Sequence, residues 1–430
     1  MSRTKRGRWT VLAVVFAASA WLSAEAMPLR PDVRETLLNG AGSPSAQGAR
    51  SGLEEHLLPS RMRAAGVDVL PKQCRLNWAE RRETSATHLR AVVILVEFPD
   101  VRADAVNHRA GYFESLLFGR EHWRANTLQS YFLDNSYGAL SVDGDVYGWY
   151  TLPNSSSFYA GGSAGVCDTC YPENAQKMAE DAVELARPFV DFSQYDNDGP
   201  DGVPSSGDDD GYVDALFVVH SGGTYEDTGN AGLIMSHQWA TAAPVLVDGV
   251  YVFVYTTEGE SSRLGTFCHE MGHVLGLPDL YDRDYSSYGL DLWSLMAAGG
   301  WLGEGDSPAH LDAYCKMKLG FVEPVAPDVN VEAVTLRPVE VYPDVYKLWK
   351  NGVARKEYYL LENRQQMGFD GQLPGSGLLI YHVDETMSDN DAEPRYMVAL
   401  EQADGLFELE RRQPGQPFAA DAGDPFPGWS

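Results

Sequence analysis

Residues 269–279 read HEMGHVLGLPD and carry the most specific chemical signal in the chain. On a helix, His269 and His273 stand four residues apart, so both imidazoles project from one face about one turn apart. That spacing suits two nitrogen ligands of one zinc ion, with Glu270 directed at a water on the metal as a general base. The stretch therefore predicts a zinc peptidase active site on a helix.

The residues that follow the second histidine extend this signal. Gly276 permits a sharp turn, after which Asp279 can return a carboxylate as the third protein ligand. Three protein ligands and one open position are typical of a catalytic zinc site. Together with Met296, expected in a turn beneath the metal, the pattern is similar to that of the metzincin peptidases. The alternative, an amphipathic helix with two histidines by chance, leaves Gly276, Asp279 and Met296 unexplained.

The N-terminus has the pattern of a secretory signal peptide, residues 1–26. Four basic residues precede a short apolar stretch, and Ala24-Glu25-Ala26 offers a small-x-small cleavage site. The apolar stretch is shorter than the ~20 residues that span a bilayer, so we expect secretion without a membrane anchor. Residues 27–85 are rich in Arg, Ala, Gly, Ser and Pro and predict a propeptide or disordered leader.

The charge of the chain excludes some partners. The 430 residues carry a net charge of −28, and loss of the four bases and one acid in residues 1–26 would leave −31. Such an acidic chain is not attracted to nucleic acid or to anionic membrane surfaces. Protein or peptide substrates are the expected partners.

Residues 86–330 are predicted to form an α+β catalytic domain. Apolar runs predict buried strands, and amphipathic runs predict helices. The strands are expected at 89–98 and 212–220 with a hairpin over 245–256, and the helices at 112–118, 127–135, 173–187 and 308–319. Asp248-Gly249 is the expected hairpin turn.

Residues 331–430 are predicted to form a β-rich C-terminal segment of short strands between Gly and Pro turns. The expected strands are 334–339, 345–349, 357–362, 377–383 and 396–401. Because the final residues read DPFPG, as in the middle of a loop, we expect that the chain is truncated.

The five cysteines suit an oxidising compartment. Cys167 and Cys170 are expected to form a short-loop disulfide. Cys268 and Cys315 fit either a disulfide or two buried thiols. Cys74, in the predicted leader, is either an unpaired bystander or a thiolate that caps zinc in a latent precursor.

An acidic loop between residues 196 and 214 contains seven aspartates interspersed with glycines. Asp196, Asp198, Asp210 and Asp214 would form a calcium-binding loop if residues 200–209 were looped out, because calcium prefers oxygen ligands around a glycine turn. The alternative is a solvated acidic turn without metal, and Asp201, Asp208 or Asp209 can replace one of the four ligands.

Beyond these motifs, the chain resembles the immune inhibitor A family of secreted bacterial metallopeptidases. The resembling segments include VVILVEFPD (92–100), DGYVDALFVVHSG (210–222), CHEMGHVLGLPDLYD (268–282), LWSLMAAGGW (292–301) and PAHLDAYCKMKLGFVEP (308–324). The resemblance implies a zinc endopeptidase made with a propeptide and often helped by calcium. Carried over by position, it implies His269, His273 and Asp279 as zinc ligands and Glu270 as catalytic base. The insertion in the acidic loop and the abrupt C-terminus depart from the family.

Other roles stay open from sequence alone. Tyr285, Tyr288 and His310 are weak candidates for stabilising the oxyanion, and Glu258 and Glu260 are either support groups of the site or surface groups. One rival function is an inactive exported calcium-binding or adhesion protein on a peptidase fold. Another is an amidase that cleaves cell-wall peptides.

Overall fold

The computed structural model of the protein describes residues 25–39, 87–119, 125–199, 201–412 and 415–428. Most of the predicted signal peptide and leader, together with Cys74, lies outside the described residues. Among the described residues no helix is both long and apolar enough to cross a membrane.

A six-stranded sheet forms the centre of the molecule, in the order β1-β5-β6-β4-β2-β3. The pairs β6–β4, β4–β2 and β2–β3 are parallel. Strand β5 pairs antiparallel with both β6 and β1. The bounds are β1 Glu25–Ala26, β2 Thr87–Glu97, β3 Leu140–Thr151, β4 Ala215–His220, β5 His237–Val247 and β6 Val250–Gly259. All residues from Ala91 to Val96 are buried, as expected of a central strand covered on both faces.

Helices cover both faces of this sheet. Their bounds are α1 Pro31–Asn39, α2 Ala110–Phe118, α3 Leu128–Asn135, α4 Ser156–Ala160, α5 Ala175–Ala186, α6 Tyr225–Thr228, α7 Leu264–Val274 and α8 Ala313–Lys318. Along β2, Val92 and Ile94 pack with α5, whereas Val93 and Leu95 belong to the core that includes α2, α3 and α7. This alternation places the helix with the HEMGH sequence against one face of the central strands.

Several predicted elements agree closely with the structure. The β5–β6 hairpin turns at Asp248 and Gly249, which have φ values of +49° and +92°, the conformation expected of an Asp-Gly hairpin turn. Cys167 and Cys170 form a disulfide, while Cys268 and Cys315 are buried free thiols. Helix α8 is shorter than predicted because the Asp312 side chain caps it, accepting from the backbone N–H of Tyr314 and Cys315.

A second, antiparallel sheet has the order β10-β9-β8-β7. Its strands are β7 Tyr346–Leu348, β8 Glu357–Arg364, β9 Gly377–Asp384 and β10 Val398–Leu400. The predicted strand at 334–339 is wrong. Half of these six residues are exposed, and Pro338, which has no N–H to donate, forms only an isolated bridge with Asn363.

Buried charges attach this second sheet to the α7 side of the molecule. Arg364 at the end of β8 is fully buried and donates to Asp370 at 2.8 Å and to Glu362 at 3.0 Å. It also donates to the backbone carbonyl of Trp293 at 3.4 Å. The indole N–H of Trp293 donates in turn to Asp424 at 2.9 Å. The turn around residue 293 is thus fixed from both sides by C-terminal residues.

Candidate metal centre

Three side chains converge at the end of α7. The Nε2 atoms of His269 and His273 lie 3.1 Å apart, and Asp279 Oδ1 lies 3.2 Å from each of them. All three residues are buried. The helical spacing predicted from sequence is therefore realised, with three potential ligand atoms facing one point.

Backbone carbonyls orient both imidazoles. His269 Nδ1 lies 2.9 Å from the carbonyl oxygen of Leu295, and His273 Nδ1 lies 2.9 Å from that of Leu277. Because a carbonyl only accepts, each Nδ1 carries the proton and each Nε2 presents a lone pair toward the other ligands. Hydrogen bonds from Nδ1 to a carbonyl are usual for histidines that bind zinc through Nε2, so this donor set fits a zinc ion.

A glycine turn delivers the aspartate. Gly276 has a φ of +92°, a left-handed conformation that favours glycine, directly after the end of α7. The N–H of Gly276 donates to the His273 carbonyl and that of Leu277 to the Gly272 carbonyl. The chain therefore folds back on the helix end and brings Asp279 over the histidines. Burial acts to raise the pKa of Asp279, but His273 and His269 outweigh it and hold that pKa below its usual range.

Glu270 is the unsatisfied group of the cluster. Its side chain is fully buried, and neither carboxylate oxygen has a hydrogen-bond partner among the described residues. Burial raises the pKa of Glu270 well above its ordinary value, although a protonated His273 would oppose that rise. A buried carboxylate without a partner is costly, which is typical of a group reserved for catalysis rather than for folding.

The turn that contains Met296 lies beneath this cluster. The N–H of Leu280 donates to the Met296 carbonyl at 2.7 Å, and Met296 is fully buried. Residues 298–305 pack so closely on α7 that a Cβ built on Gly265 would lie 1.9 Å from the carbonyl oxygen of Gly300. The position of Met296 under the helix is the one expected from sequence.

The N-terminal segment, residues 25–39, lies across the centre. Strand β1 pairs with β5, with Ala26 opposite His237, and the N–H of Met27 donates to the Ser236 carbonyl at 3.2 Å. The hydroxyl of Tyr281 donates to the Ala26 carbonyl at 2.7 Å, and its ring centroid is 6.5 Å from that of His269. Sequence reasoning missed Tyr281, although its place two residues after Asp279 was a usable signal.

Helix α1 docks on two of the oxyanion candidates. The Arg34 guanidinium lies over the rings of Tyr285 and Tyr288, at 5.9 and 5.2 Å from their centroids. Arg412 donates to Glu35 at 2.5 Å. The two tyrosines therefore hold the N-terminal segment.

The third oxyanion candidate, His310, lies in the core. Its ring packs with those of Tyr131 and Phe369, and burial lowers its pKa to about 3. Glu260, for which sequence left a support role and a surface position open, is buried, and its carboxylate accepts from the N–H of Gly222 and of Asp104 at 2.8 Å each.

The acidic loop forms a second cluster. Carboxylate oxygens of Asp196, Asp198 and Asp214 lie within 4.8 Å of one another, and all three residues are buried. Burial, with the charges of neighbouring aspartates, raises the pKa of Asp196 to about 7. Asp210 lies outside this group of three, and its Oδ1 accepts from the N–H of Tyr212.

The inserted residues of that loop fold on themselves. Asp209 accepts from the N–H of Gly199 at 2.6 Å, and Asp208 accepts from that of Asp201 at 3.4 Å. These alternative ligands are therefore used within the loop, and the three clustered carboxylates are the ones positioned for a cation.

Comparison with known proteins gives a consistent result. Residues 80–320 match the model of the immune inhibitor A peptidase M6 catalytic domain. Immune inhibitor A of Bacillus thuringiensis subsp. alesti is 29% identical, over 64% of this chain and 44% of that protein. The pre-pro-metalloprotease PrtV of Vibrio cholerae serotype O1 is 25% identical, over 61% of this chain and 33% of that protein. The chain thus spans less than half of the length of these relatives.

Proposed function

Since this chain belongs to the immune inhibitor A peptidase M6 family, we propose that it is a zinc-dependent endopeptidase that hydrolyses peptide bonds in protein substrates. The observation that carries this proposal is the convergence of His269 Nε2, His273 Nε2 and Asp279 Oδ1 at 3.1–3.2 Å beside a buried, unpartnered Glu270. His269, His273 and Asp279 would hold the zinc ion. The metal, when bound, supplies Lewis-acid polarisation of the scissile carbonyl and acidifies a water molecule.

Glu270 has the proton-transfer role in this proposal. Its carboxylate accepts a proton as the water attacks the carbonyl carbon, and then passes that proton to the leaving amine. The buried position of Glu270 suits both steps, because a carboxylate with a raised pKa takes and returns a proton more evenly than an exposed one. Met296 contributes packing beneath the helix and is not a ligand.

The N-terminal segment supports a zymogen. Met27, which stays in the chain after the predicted cleavage behind Ala26, donates to the Ser236 carbonyl beside the start of β5, where an extended peptide substrate would add to the sheet. Access of a substrate to that edge requires that the segment leave. We therefore propose that the predicted leader, residues 27–85, is a propeptide and that its removal activates the enzyme. Met27 is fully buried, so activation would expose new surface at the centre.

A structural calcium ion is the proposed occupant of the acidic loop. Asp196, Asp198 and Asp214 bring three buried carboxylates together, and Asp196 Oδ1 has no hydrogen-bond partner among the described residues. Three crowded carboxylates repel one another unless a cation neutralises them. We also propose secretion through the predicted signal peptide, which agrees with the use of a disulfide at Cys167 and Cys170.

The deciding experiment measures hydrolysis of casein by the secreted chain after limited proteolysis of its leader. Wild type is compared with Glu270→Ala and with the exposed-site control Glu332→Ala, each with and without a zinc chelator. We expect hydrolysis only by wild type and Glu332→Ala, and only without chelator, while bound zinc measured by metal analysis stays near one per chain in Glu270→Ala. An inert wild type that holds zinc would refute the peptidase function. Cleavage of purified peptidoglycan instead of casein would favour the amidase.

A further inference from the structure

A cavity of about 760 Å³ adjoins the candidate metal centre. Thr266 lines it and precedes His269 by three residues and His273 by seven, so it lies on the α7 face that carries both histidines. Leu292 and Trp301 contribute apolar wall. A peptide that crosses the metal centre would therefore pass close to this cavity.

The N-terminal segment traces a path into the cavity. Beyond the β5 pairing at Ala26, the carbonyl of Pro28 accepts from the Trp301 indole N–H at 3.2 Å, and Arg30 lines the cavity. The Arg30 guanidinium lies 3.5 Å from Asp227, another lining residue. A substrate running in the same direction on β5 would bring residues on the carboxyl side of its scissile bond to this place.

The lining is acidic once the segment is gone. Arg30 pairs with Asp32 at 2.7 Å and departs with it, which leaves Asp227 without that cation. Arg263, the other lining arginine, is directed to Asp306 at 3.4 Å. Glu226 on the cavity wall is buried, and its carboxylate accepts from the backbone N–H and the hydroxyl of Ser236.

Another carboxylate lies behind this wall. Glu258 is fully buried near the end of β6, and neither of its oxygens has a hydrogen-bond partner among the described residues. Glu258 follows Thr257, which pairs with His237 in β5. Glu226 is bonded to Ser236, directly before His237, so Glu258 lies on the strand next to the residue that anchors Glu226. A buried carboxylate of this kind is stabilised strongly by an approaching cation.

We propose that this acidic subsite, formed by Asp227 and Glu226 and backed by Glu258, binds a lysine or arginine side chain of the substrate. The basic residue would lie within about four positions after the scissile bond, the spacing from Ala26 to Arg30 in the N-terminal segment. The substrate cation takes the place that Arg30 holds beside Asp227. This proposal rests on the proposed peptidase function and makes Asp227 and Glu258 specificity-determining residues.

The test is cleavage-site profiling of the secreted, zinc-loaded full chain on a complex peptide mixture, read by mass spectrometry. Wild type is compared with Asp227→Asn, with Glu258→Gln and with the control Asp328→Asn, an exposed acid outside the cavity lining. Cuts that also occur with Glu270→Gln are subtracted, which removes the contribution of any activating protease. Thermal unfolding of each variant identifies loss of folding.

We expect Lys and Arg to be enriched about tenfold at one of the four positions after the cut in wild type and in Asp328→Asn. The enrichment should fall to background in Asp227→Asn or in Glu258→Gln. Wild type should still cleave peptides that lack Lys and Arg, but more slowly. Chelator-sensitive cleavage by wild type without this enrichment, or enrichment that survives both substitutions, overturns the proposal. Absence of all chelator-sensitive cleavage overturns the peptidase function, and the proposal with it.

Discussion

The sulfur of Met296 occupies the space beside Gly272 that a side chain would otherwise fill: a Cβ on Gly272 would lie 2.5 Å from Met296 Sδ. Gly272 lies within α7, directly before His273, and both Gly272 and Met296 are buried in the core. The absence of a side chain at 272 therefore allows the Met296 turn to approach α7.

Gly272→Ala is expected to destabilise the protein. In an open helix the same change would stabilise by up to ~1 kcal/mol, but overpacking against Met296 should cost ~1–3 kcal/mol. Denaturant unfolding measures the free energy of unfolding, and Met296→Ala in the same chain should recover part of the loss, as a double-mutant cycle. A Gly272→Ala chain at least as stable as wild type would contradict the close packing described here.

Asp279→Asn should weaken zinc binding at least ~100-fold, because it removes the only anionic ligand of the proposed three. Competition with a chromophoric zinc chelator measures the affinity directly. The exposed Asp328→Asn serves as the matched control and should bind zinc as wild type does. Unchanged affinity in Asp279→Asn would remove Asp279 from the ligand set.

Removal of calcium should lower the melting temperature. A site saturated at about 100 times its dissociation constant stabilises by ~2.7 kcal/mol, which corresponds to a shift of roughly 3 °C for a chain of this size. Addition of calcium after chelation should restore the melting temperature in wild type and in Asp404→Asn, but not in Asp214→Asn. An equal calcium response in Asp214→Asn would place any calcium ion elsewhere.

Asp424→Asn should change how stability depends on pH. Burial raises the pKa of Asp424 to about 7, against 3.8 for the ordinary group. Because the folded carboxyl holds its proton more tightly than the unfolded one, its contribution is fully present below pH 3.8 and is lost as the pH rises toward 7. Asparagine does not titrate, so the free energy of unfolding of the variant should rise relative to that of wild type between pH 4 and pH 8.

The expected gain is about 1–4 kcal/mol in the free energy of unfolding, measured by denaturant titration at pH 4.5, 6 and 8. An amide oxygen at 424 can still accept from the Trp293 indole, so the hydrogen bond is kept. Parallel curves for the two chains at all three values of pH would show that Asp424 keeps its ordinary pKa.

Local patterns predicted much of this fold. Strand β2 could be predicted from its apolar run, because a central parallel strand is buried on both faces. The turn at Asp248-Gly249 could be predicted because few residues accept a positive φ. Helix α1 was not predicted because its contacts are distant: Glu35 pairs with Arg412, 377 residues away. The strand predicted at 334–339 does not form, because Pro338 has no N–H to donate to a neighbouring strand.

The same division holds for the candidate site. His269, His273 and Asp279 lie within eleven residues, so their spacing alone is enough to indicate a common ligand. The position of Glu226 could not be predicted from sequence, because Glu226 is bonded to Ser236 and this place next to Glu258 depends on the pairing of β5 with β6. Tyr281 likewise gains its role from a partner, Ala26, that lies 255 residues earlier.

The buried bonds of Trp293 have a consequence for what counts as one evolutionary module. The stretch that matches the family model ends at residue 320, yet the turn around Trp293 is bonded to Arg364 and Asp424 beyond it. A chain ending at 320 would lose the acceptor of the Trp293 indole and the donor to the Trp293 carbonyl. The part of the chain that must fold together is therefore larger than the part that matches the family model.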